Sequence, residues 1–131
     1  MTEAVAAGLR DAGICKIKIH NASFVHSSFM LRDVWRYKGL ILGAPTYDVG
    51  IFPPMDNFVR LLTAKKIQNK AVGFFGTYGW SGGAIDGFKK FAEACKLEVI
   101  EPVIESRFSA KEDDLENCYQ LGMNIGKKIA E

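Results

Sequence analysis

The spacing of apolar residues along the chain predicts an alternation of helices and strands. Helical spacing of apolar positions predicts a first helix over residues 2–12. Residues 14–20 alternate apolar side chains with lysines, which is typical of a half-exposed edge strand. A short helix is predicted over residues 29–37. Residues 40–42 are uniformly apolar, which indicates a strand that is buried on both faces.

The pattern continues in the same way through the second half of the chain. Pro54 suits the first turn of a helix, since that position needs no backbone N–H donor. Residues 71–75 predict a second buried strand, and the apolar positions that follow predict another amphipathic helix. That helix should turn inward Ile85, Phe88, Ala92 and Cys95. Residues 99–104 predict a strand that Pro102 interrupts, which indicates an edge or a bulge.

A last helix is predicted after Ser109 and Glu112, which have the spacing of a capping box. Its inward positions should be Leu115, Cys118, Gly122, Ile125 and Ile129. The whole order is helix, then strand and helix four times over, which indicates a parallel sheet with helices on both faces. We therefore expect one α/β domain over residues 1–131. A helix-first start means that the strand which would normally precede it, with its loop, is not in the chain.

Composition narrows the class of protein. The chain has 131 residues, of which 48% are hydrophobic and 24% charged, as in ordinary soluble globular domains. The net charge is +2 and no basic run stands out, which argues against a nucleic-acid partner. No apolar stretch has the length of a membrane span and no signal peptide opens the chain, so we expect a cytoplasmic protein.

Cysteines and histidines give no sign of a metal or redox site. Cys15, Cys95 and Cys118 lie far apart, which favours reduced thiols in the core. His20 and His26 have no acidic partner at metal-binding spacing, so we expect surface or helix-capping roles for them. The sequence also lacks a Ser–His–Asp pattern and a nucleophile elbow.

The candidate chemistry lies in two loops that follow the two buried strands, residues 43–54 and 76–83. Adjacent parallel strands that open into such loops are where an open α/β sheet binds a ligand. Five of the 13 glycines lie between Gly73 and Gly83, and they let the backbone approach a flat ligand closely. The hydroxyls and aromatic faces there suit a flavin ring. Alternatively, the glycines only build tight turns and Trp80 covers the core.

The residues of these loops resemble a known family. The runs GLILGAPTYDVGIFPPMDNF and AVGFFGTYGWSGGA are similar to the flavodoxin-like, FMN-binding domain of flavodiiron (A-type) flavoproteins. The resemblance extends weakly over the whole chain and implies a flavodoxin-like three-layer α/β/α fold. It implies an FMN ring held on one side by Pro45, Thr46, Tyr47 and Asp48. On the other side it implies Thr77, Tyr78, Gly79, Trp80, Ser81 and Gly82.

The chain also departs from the family pattern. Polar residues, often asparagine, usually stand where this chain has Asp48 and Val49, so contacts to the flavin edge are expected to differ. The phosphate loop of the family lies between its first strand and first helix, and this chain starts just after it. Hydrogen bonds to a phosphate contribute roughly 1.5–3 kcal/mol each. We therefore expect FMN binding to be weakened or abolished.

In the family's sheet, the absent first strand is the central one, between the strands predicted at Ile17 and Ile41. Three alternatives follow. The four predicted strands pair directly, or a partner chain lends a strand, or Met1 is an internal methionine or an artificial boundary of a longer chain. We favour the third alternative, because Met1 falls where the family's first helix commonly has a methionine.

The resemblance implies electron transfer through FMN, between a reductase-type donor and a di-iron or other acceptor. The chain would then be an electron carrier or oxidoreductase domain rather than a self-contained catalyst. Asp48 near the ring would disfavour the anionic reduced flavin. The rival interpretation is a cofactor-free remnant that serves as an interaction or dimerisation module. An NAD(P)H:quinone-type flavin reductase is a further alternative, but nothing in the sequence marks a nicotinamide site.

Overall fold

The computed structural model of the chain describes residues 1–47, 50–80 and 82–130. The helices are α1 (Thr2–Asp11), α2 (Ser27–Arg36), α3 (Pro53–Ala64), α4 (Ala84–Cys95) and α5 (Glu112–Ala130). The strands are β1 (Gly39–Tyr47), β2 (Gly50–Ile51), β3 (Ala71–Tyr78), β4 (Glu98–Val99) and β5 (Ile104–Arg107). No helix among the described residues is long and apolar enough to cross a membrane.

Strand β3 lies at the centre of the sheet. It pairs in parallel with β1 from Gly39 opposite Ala71 to Pro45 opposite Thr77. Its other edge pairs in parallel with β4 and then with β5. The short β2 folds back antiparallel onto the end of β1, so the sheet is mixed rather than purely parallel.

Helices cover both faces of the sheet, as the alternation of elements predicts. Leu42 and Phe74 point into one apolar cluster with α2, α3 and α4, while Ile41 and Phe75 point toward α1 and α5 on the opposite face. Successive residues of each strand thus enter different clusters, because side chains alternate across a strand. The α/β/α arrangement of layers is confirmed.

Helix α1 is held against α5 by close contact between backbones. A Cβ atom at Gly8 would lie 2.1 Å from the Tyr119 carbonyl oxygen, and one at Gly122 would lie 2.1 Å from the Val5 carbonyl oxygen. Only glycine leaves room for this approach. The N-terminal helix is therefore an integral part of its layer.

The predicted edge strand at residues 14–20 is wrong. This segment belongs to none of the strands in the described part of the chain. Alternation of apolar residues and lysines indicates a preference for extended structure, but a strand also requires a neighbouring strand to pair with. The segment has no such neighbour here.

Three smaller expectations are corrected. Pro102, behind a cis Glu101–Pro102 peptide bond, separates β4 from β5, so the predicted single strand over residues 99–104 is two short strands. The predicted Ser109–Glu112 capping box is displaced, and the Lys111 backbone N–H donates instead to the Asp114 carboxylate at 3.0 Å. This hydrogen bond lowers the pKa of Asp114. Leu115 is 39% exposed and does not face inward.

The cysteines and histidines follow their predicted roles in part. Cys95 and Cys118 are buried, and burial raises the pKa of both thiols, whereas Cys15 is exposed and is not a core residue. His26 caps α2 by accepting a hydrogen bond from the Ser28 backbone N–H. His20 has an acidic partner after all: it lies 2.6 Å from the carboxylate of the buried Asp33.

Candidate functional site

The carboxyl ends of β1 and β3 lie side by side. Their last paired residues are Pro45 and Thr77, so the chain leaves the sheet at the same level in both strands. A Cβ atom at Gly76 would lie 2.8 Å from the Ala44 carbonyl oxygen, which shows how closely the strands approach there. This geometry brings the two predicted binding loops together at one edge of the sheet.

The first loop contains the antiparallel hairpin pairing of β1 with β2. Thr46 pairs with Ile51 and Tyr47 with Gly50, and the Phe52 backbone N–H donates to the Pro45 carbonyl oxygen at 3.1 Å. The rings of Tyr47 and Phe52 meet edge to face, with centroids 5.1 Å apart. The hairpin therefore fixes the position of Tyr47, although the sequence pattern did not predict β2.

Thr46 connects the first loop to the element after the second one. Its hydroxyl oxygen accepts a hydrogen bond from the Ala84 backbone N–H, at 3.2 Å, at the start of α4. Gly83, the residue before this helix, supplies no side-chain cap. Thr46 thus has a structural partner in the described part of the chain, in addition to its predicted place beside a flavin.

The aromatic side chains at this edge are open to solvent. Trp80 is 93% exposed and Tyr47 is 54% exposed. The alternative in which Trp80 covers the core is therefore wrong. Exposed indole and phenol rings offer flat apolar faces. A planar ligand that covers them binds favourably, because apolar surface is removed from water.

A third loop contributes residues that the sequence did not single out. Strand β5 continues the same edge, and the Phe108 backbone N–H donates to the Tyr78 carbonyl oxygen at 2.6 Å. The Phe108 ring is 62% exposed and lies 3.5 Å from where a Cβ atom of Gly79 would stand. The rule that neighbouring parallel strands open at one edge could have indicated this loop, had the register of β5 been known.

Glu105 of β5 places a negative charge against the second loop. A Cβ atom at Gly82 would lie 2.8 Å from one of its carboxylate oxygens. Asp48 and Ser81, both predicted to line the flavin, and Val49 lie outside the described residues. Glu105 is therefore an acidic group beside the second loop.

The described residues suit a flavin ring better than they suit its phosphate. Tyr47 and Trp80 are exposed, Gly79 and Gly82 belong to the second loop, and the ends of β1 and β3 lie side by side. At the first helix, Met1 provides no side-chain hydrogen bond to the helix start, and Glu3 lies in the first turn. A carboxylate there opposes a bound phosphate electrostatically. The exposed aromatic faces and the glycines of these loops suit a planar ligand.

No metal centre accompanies the site in the part of the chain that the structure describes, where no group of three histidine, cysteine or acidic residues is placed to hold an ion. A separate cavity of about 460 Å³ is lined in part by residues of β1 and α1. None of the residues predicted to contact the flavin lines it.

Comparison with known proteins agrees with the resemblance seen in the sequence. The chain is 31% identical to a nitric oxide reductase of Moorella thermoacetica over 99% of its own length and 34% of the relative. It is 28% identical to an anaerobic nitric oxide reductase flavorubredoxin of Escherichia coli, covering 99% of the chain and 27% of that protein. The chain thus spans between about a quarter and a third of the length of these relatives. No profile of a protein family matches it.

Solved structures give the same result for the fold. A flavodiiron core from Synechocystis superimposes with a TM-score of 0.86 at 25% identity, over 98% of this chain and 32% of that one. A flavodoxin from the domain Archaea superimposes with a TM-score of 0.84 at 24% identity, over 98% of this chain and 87% of that one. The chain is therefore a homologue of the flavodiiron proteins, and its fold is that of their flavodoxin-like domain.

Proposed function

We propose that the chain binds FMN at the edge where β1 and β3 end and serves as a carrier of single electrons. The observation that carries this proposal is the placement of Tyr47 and Trp80, both exposed, on loops that leave two neighbouring parallel strands. The relatives named flavorubredoxin and flavodoxin support a flavin as the ligand.

The residues of the chain would hold the flavin rather than react with it. Bound FMN supplies reversible electron transfer, and the protein supplies stacking faces, hydrogen bonds and electrostatics. Tyr47 and Trp80 would cover the ring, while Thr77 and the backbone groups of Gly79 and Gly82 would hydrogen-bond its polar edge. Pro45, Thr46, Tyr78 and the undescribed Asp48 and Ser81 complete the proposed contact set.

Acidic groups near the ring would lower the reduction potentials of the bound FMN. A carboxylate disfavours a ligand that gains negative charge on reduction, since the two charges repel each other. Glu105 packs against Gly82 in the second loop, and Asp48 belongs to the first loop. We assign both residues an electrostatic role and no role as proton donors.

The proposed partners are redox proteins: a reductase-type donor and a di-iron or other acceptor. An exposed Trp80 would leave an edge of the ring close to the protein surface, where a partner could approach it. The nitric oxide reductase activity named for the relatives belongs to proteins about three to four times as long, of which this chain matches 34% and 27%.

The proposal can be tested by titrating FMN with the purified protein and following the flavin fluorescence. Replacing Trp80 with alanine should weaken binding roughly two- to twelvefold, because an aromatic stacking pair contributes about 0.5–1.5 kcal/mol. The matched control is Trp35→Ala: this residue is the other tryptophan of the chain, is 53% exposed, and lies on α2 away from the loops. Its replacement should leave the affinity unchanged.

A folded protein that leaves the fluorescence of FMN unchanged at every concentration would contradict the proposal and favour the cofactor-free interaction module. Equal losses of affinity in the two tryptophan variants would instead place the flavin somewhere other than these loops. Circular dichroism of each variant checks that the fold is intact.

A further inference from the structure

Another pocket lies at the end of the sheet opposite the two loops. It measures about 350 Å³ and forms where the amino ends of β1, β3 and β4 meet the end of α5. The residues that line it are Lys38, Asn69, Lys70, Ala71, Lys96, Glu98, Lys128 and Ile129. We refer to it as the lysine pocket. At about 3.3 Å per residue, the eight-residue strand β3 separates it from the loops by roughly 23 Å.

Positive charge exceeds negative charge in the lysine pocket. Four of its lining residues are lysines and one, Glu98, is acidic. The Glu98 carboxylate lies 3.4 Å from the Lys128 ammonium. Within residues 1–47, 50–80 and 82–130, none of Lys38, Lys70 and Lys96 forms an ion pair with an acidic side chain. The described residues therefore leave three ammonium groups of the pocket without a carboxylate.

Lys70 is the most firmly held of these lysines. Its side chain is half-buried, and its ammonium donates a hydrogen bond to the Tyr37 carbonyl oxygen at 2.5 Å. Burial lowers the pKa of Lys70, because the charged ammonium loses contact with water. An ammonium has three N–H donors, so Lys70 can contact a ligand and keep its bond to Tyr37. An anion in the pocket would offset the cost of this burial.

Helix ends alone do not account for the lysines. Tyr37 and Lys96 are the C-caps of α2 and α4, and Lys128 lies in the last turn of α5. Cations are favourable at such positions, since each helix end carries about half a negative charge. Three helix ends and Glu98 together offset about two and a half of the four positive charges. A positive excess therefore remains at the pocket.

The other end of the sheet carries the opposite charge. Helices that follow parallel strands begin at the carboxyl ends of those strands. The first turns of α3, α4 and α5 contain Asp56, Asp86, Glu112, Asp113 and Asp114. This distribution repels a dissolved anion from the carboxyl end and attracts it to the lysine pocket.

We propose that the lysine pocket binds a compact anion that carries two or more phosphate groups. Lysine binds phosphate as a point charge, whereas planar carboxylates are matched best by the fork of an arginine, and no arginine is among the described residues that line the pocket. The same lining contains no aromatic side chain on which a nucleobase could stack. The volume is in the usual range for small-molecule sites. This inference does not depend on flavin binding at the loops.

The test titrates the ¹⁵N-labelled whole chain with sodium diphosphate in metal-free buffer, at constant ionic strength. The amide shifts of residues 69–71 and 96–98 should change along saturating curves, with little change at residues 77–80. Changes that are linear in concentration, or similar at every lysine of the chain, would show only diffuse attraction and would overturn the proposal.

Other anions define the ligand class. Monophosphate should bind roughly fivefold or more weakly than diphosphate, because it contacts fewer of the lysines. Citrate carries a comparable charge on carboxylates and should also bind more weakly. Equal affinity for citrate and diphosphate would overturn the assignment to phosphate groups.

Lysine variants locate the binding. Lys96→Gln should weaken diphosphate binding roughly two- to fivefold, since this exposed residue lines the pocket. Lys89→Gln removes the same charge from the exposed side of α4, outside the pocket, and should leave the affinity unchanged. Equal losses in the two variants would overturn the assignment to the lysine pocket.

Lys70→Gln should have the largest effect and weaken binding roughly tenfold or more, because a charged hydrogen bond from a half-buried donor is lost. If this variant fails to fold, Lys38→Gln takes its place, because Lys38 is exposed and directly precedes β1. It should weaken binding roughly two- to fivefold, and an unchanged affinity would contradict the proposal.

A competition experiment separates this site from the proposed flavin site. Saturating diphosphate should leave the affinity for FMN unchanged, because roughly 23 Å exceeds the screening length of about 8–10 Å. Displacement of FMN by diphosphate would show that the two share one site and would overturn the proposal. A protein that binds diphosphate at residues 69–71 and 96–98 but binds no FMN would support the lysine pocket and contradict only the flavin assignment.

Discussion

The two edges of β1 have different neighbours. One edge is paired with β3 from Gly39 to Pro45, inside a sheet that continues to β4 and β5. The other faces a cavity, which residues 14 and 16–20 also line, and these residues join no strand in the described part of the chain. The same apolar strand therefore has one edge paired with a neighbouring strand and one edge unpaired among the described residues. The difference arises from the neighbours, not from β1 itself.

The pairing of β1 with β3 continues up to the proposed flavin site, whereas the unpaired edge of β1 borders the cavity. The loops after β1 and β3 are fixed by the register of those strands and by the Thr46–Ala84 hydrogen bond. Residues 15–20 make no backbone-to-backbone hydrogen bond with a described residue, although the side chain of His20 pairs with Asp33. We expect substitutions on the two sides of β1 to change the stability of the protein by different amounts, and denaturation experiments can measure these changes.

The largest difference is expected from removing a large side chain on each side. Phe74 of β3 is fully buried and stacks on Phe88 with ring centroids 5.1 Å apart. Phe74→Ala should lower the free energy of unfolding by about 3–5 kcal/mol, the usual cost of such a core deletion. Ile17→Ala, at the wall of the cavity, should cost about 1 kcal/mol or less, because the side chain is half-buried. Urea denaturation measures both.

If Ile17→Ala were as damaging as Phe74→Ala, the cavity wall would be as tightly packed as the paired side, and the contrast between the edges would not hold. A smaller effect on both would contradict the assignment of Phe74 to the main core.

A medium effect is expected from crowding the paired edge. Gly76→Ala would place a methyl group 2.8 Å from the Ala44 carbonyl oxygen and push β1 away from β3. Such overpacking should cost about 1–3 kcal/mol of unfolding free energy. Gly50→Ala is the matched control, since the nearest atom to its added methyl group is 3.6 Å away. Thermal denaturation of the two variants should separate them clearly, and equal midpoints would contradict the close strand approach.

Asp33 predicts a pH-dependent difference on the open side. The hydrogen bond with His20 lowers the pKa of Asp33 below its ordinary value of 3.8, so the folded state favours the ionised carboxylate. The resulting stabilisation is fully present above pH 3.8 and is lost as the pH falls through the lower folded-state value. Asp33→Asn should therefore be less stable than the native protein at neutral pH, with a gap that narrows in acid. A gap that is constant with pH would contradict this role.

The smallest effect is expected at the flavin itself. Glu105→Gln should raise the lower potential of bound FMN by roughly 10–50 mV, because one screened negative charge is removed near the ring. Asp48→Asn should act in the same direction. Glu93→Gln, an exposed carboxylate toward the far end of α4, is the control and should change nothing. No change in a redox titration would remove the residue concerned from the proposed electrostatic role.

What the sequence predicted well depended on local patterns. Residues 40–42 and 71–75 lie in neighbouring parallel strands, as expected, although Leu40 and Ile41 are only half-buried. Residues 14–20 have an equally clear pattern and yet form no strand among the described residues, because a strand needs a partner strand and not only a local pattern. Periodicity gives the preference of a segment but not its neighbours.

The candidate site could be predicted as far as its loops follow directly from two strands. Tyr47 and Trp80 were expected at this edge from their positions after apolar runs, and the structure places both there. Phe108 and Glu105 were missed, because their placement depends on the register of the four-residue strand β5 against β3. Short strands carry too little pattern to fix a register.

The central claim is that FMN binds where β1 and β3 end. It is tested most directly by adding FMN to the ¹⁵N-labelled protein and following the amide chemical shifts by NMR. The account predicts that the largest changes fall on Thr46, Tyr47 and residues 77–80, with little change at residues 14–20 or 39–42. Changes confined to the latter two segments, or no changes at all in a folded protein, would contradict it.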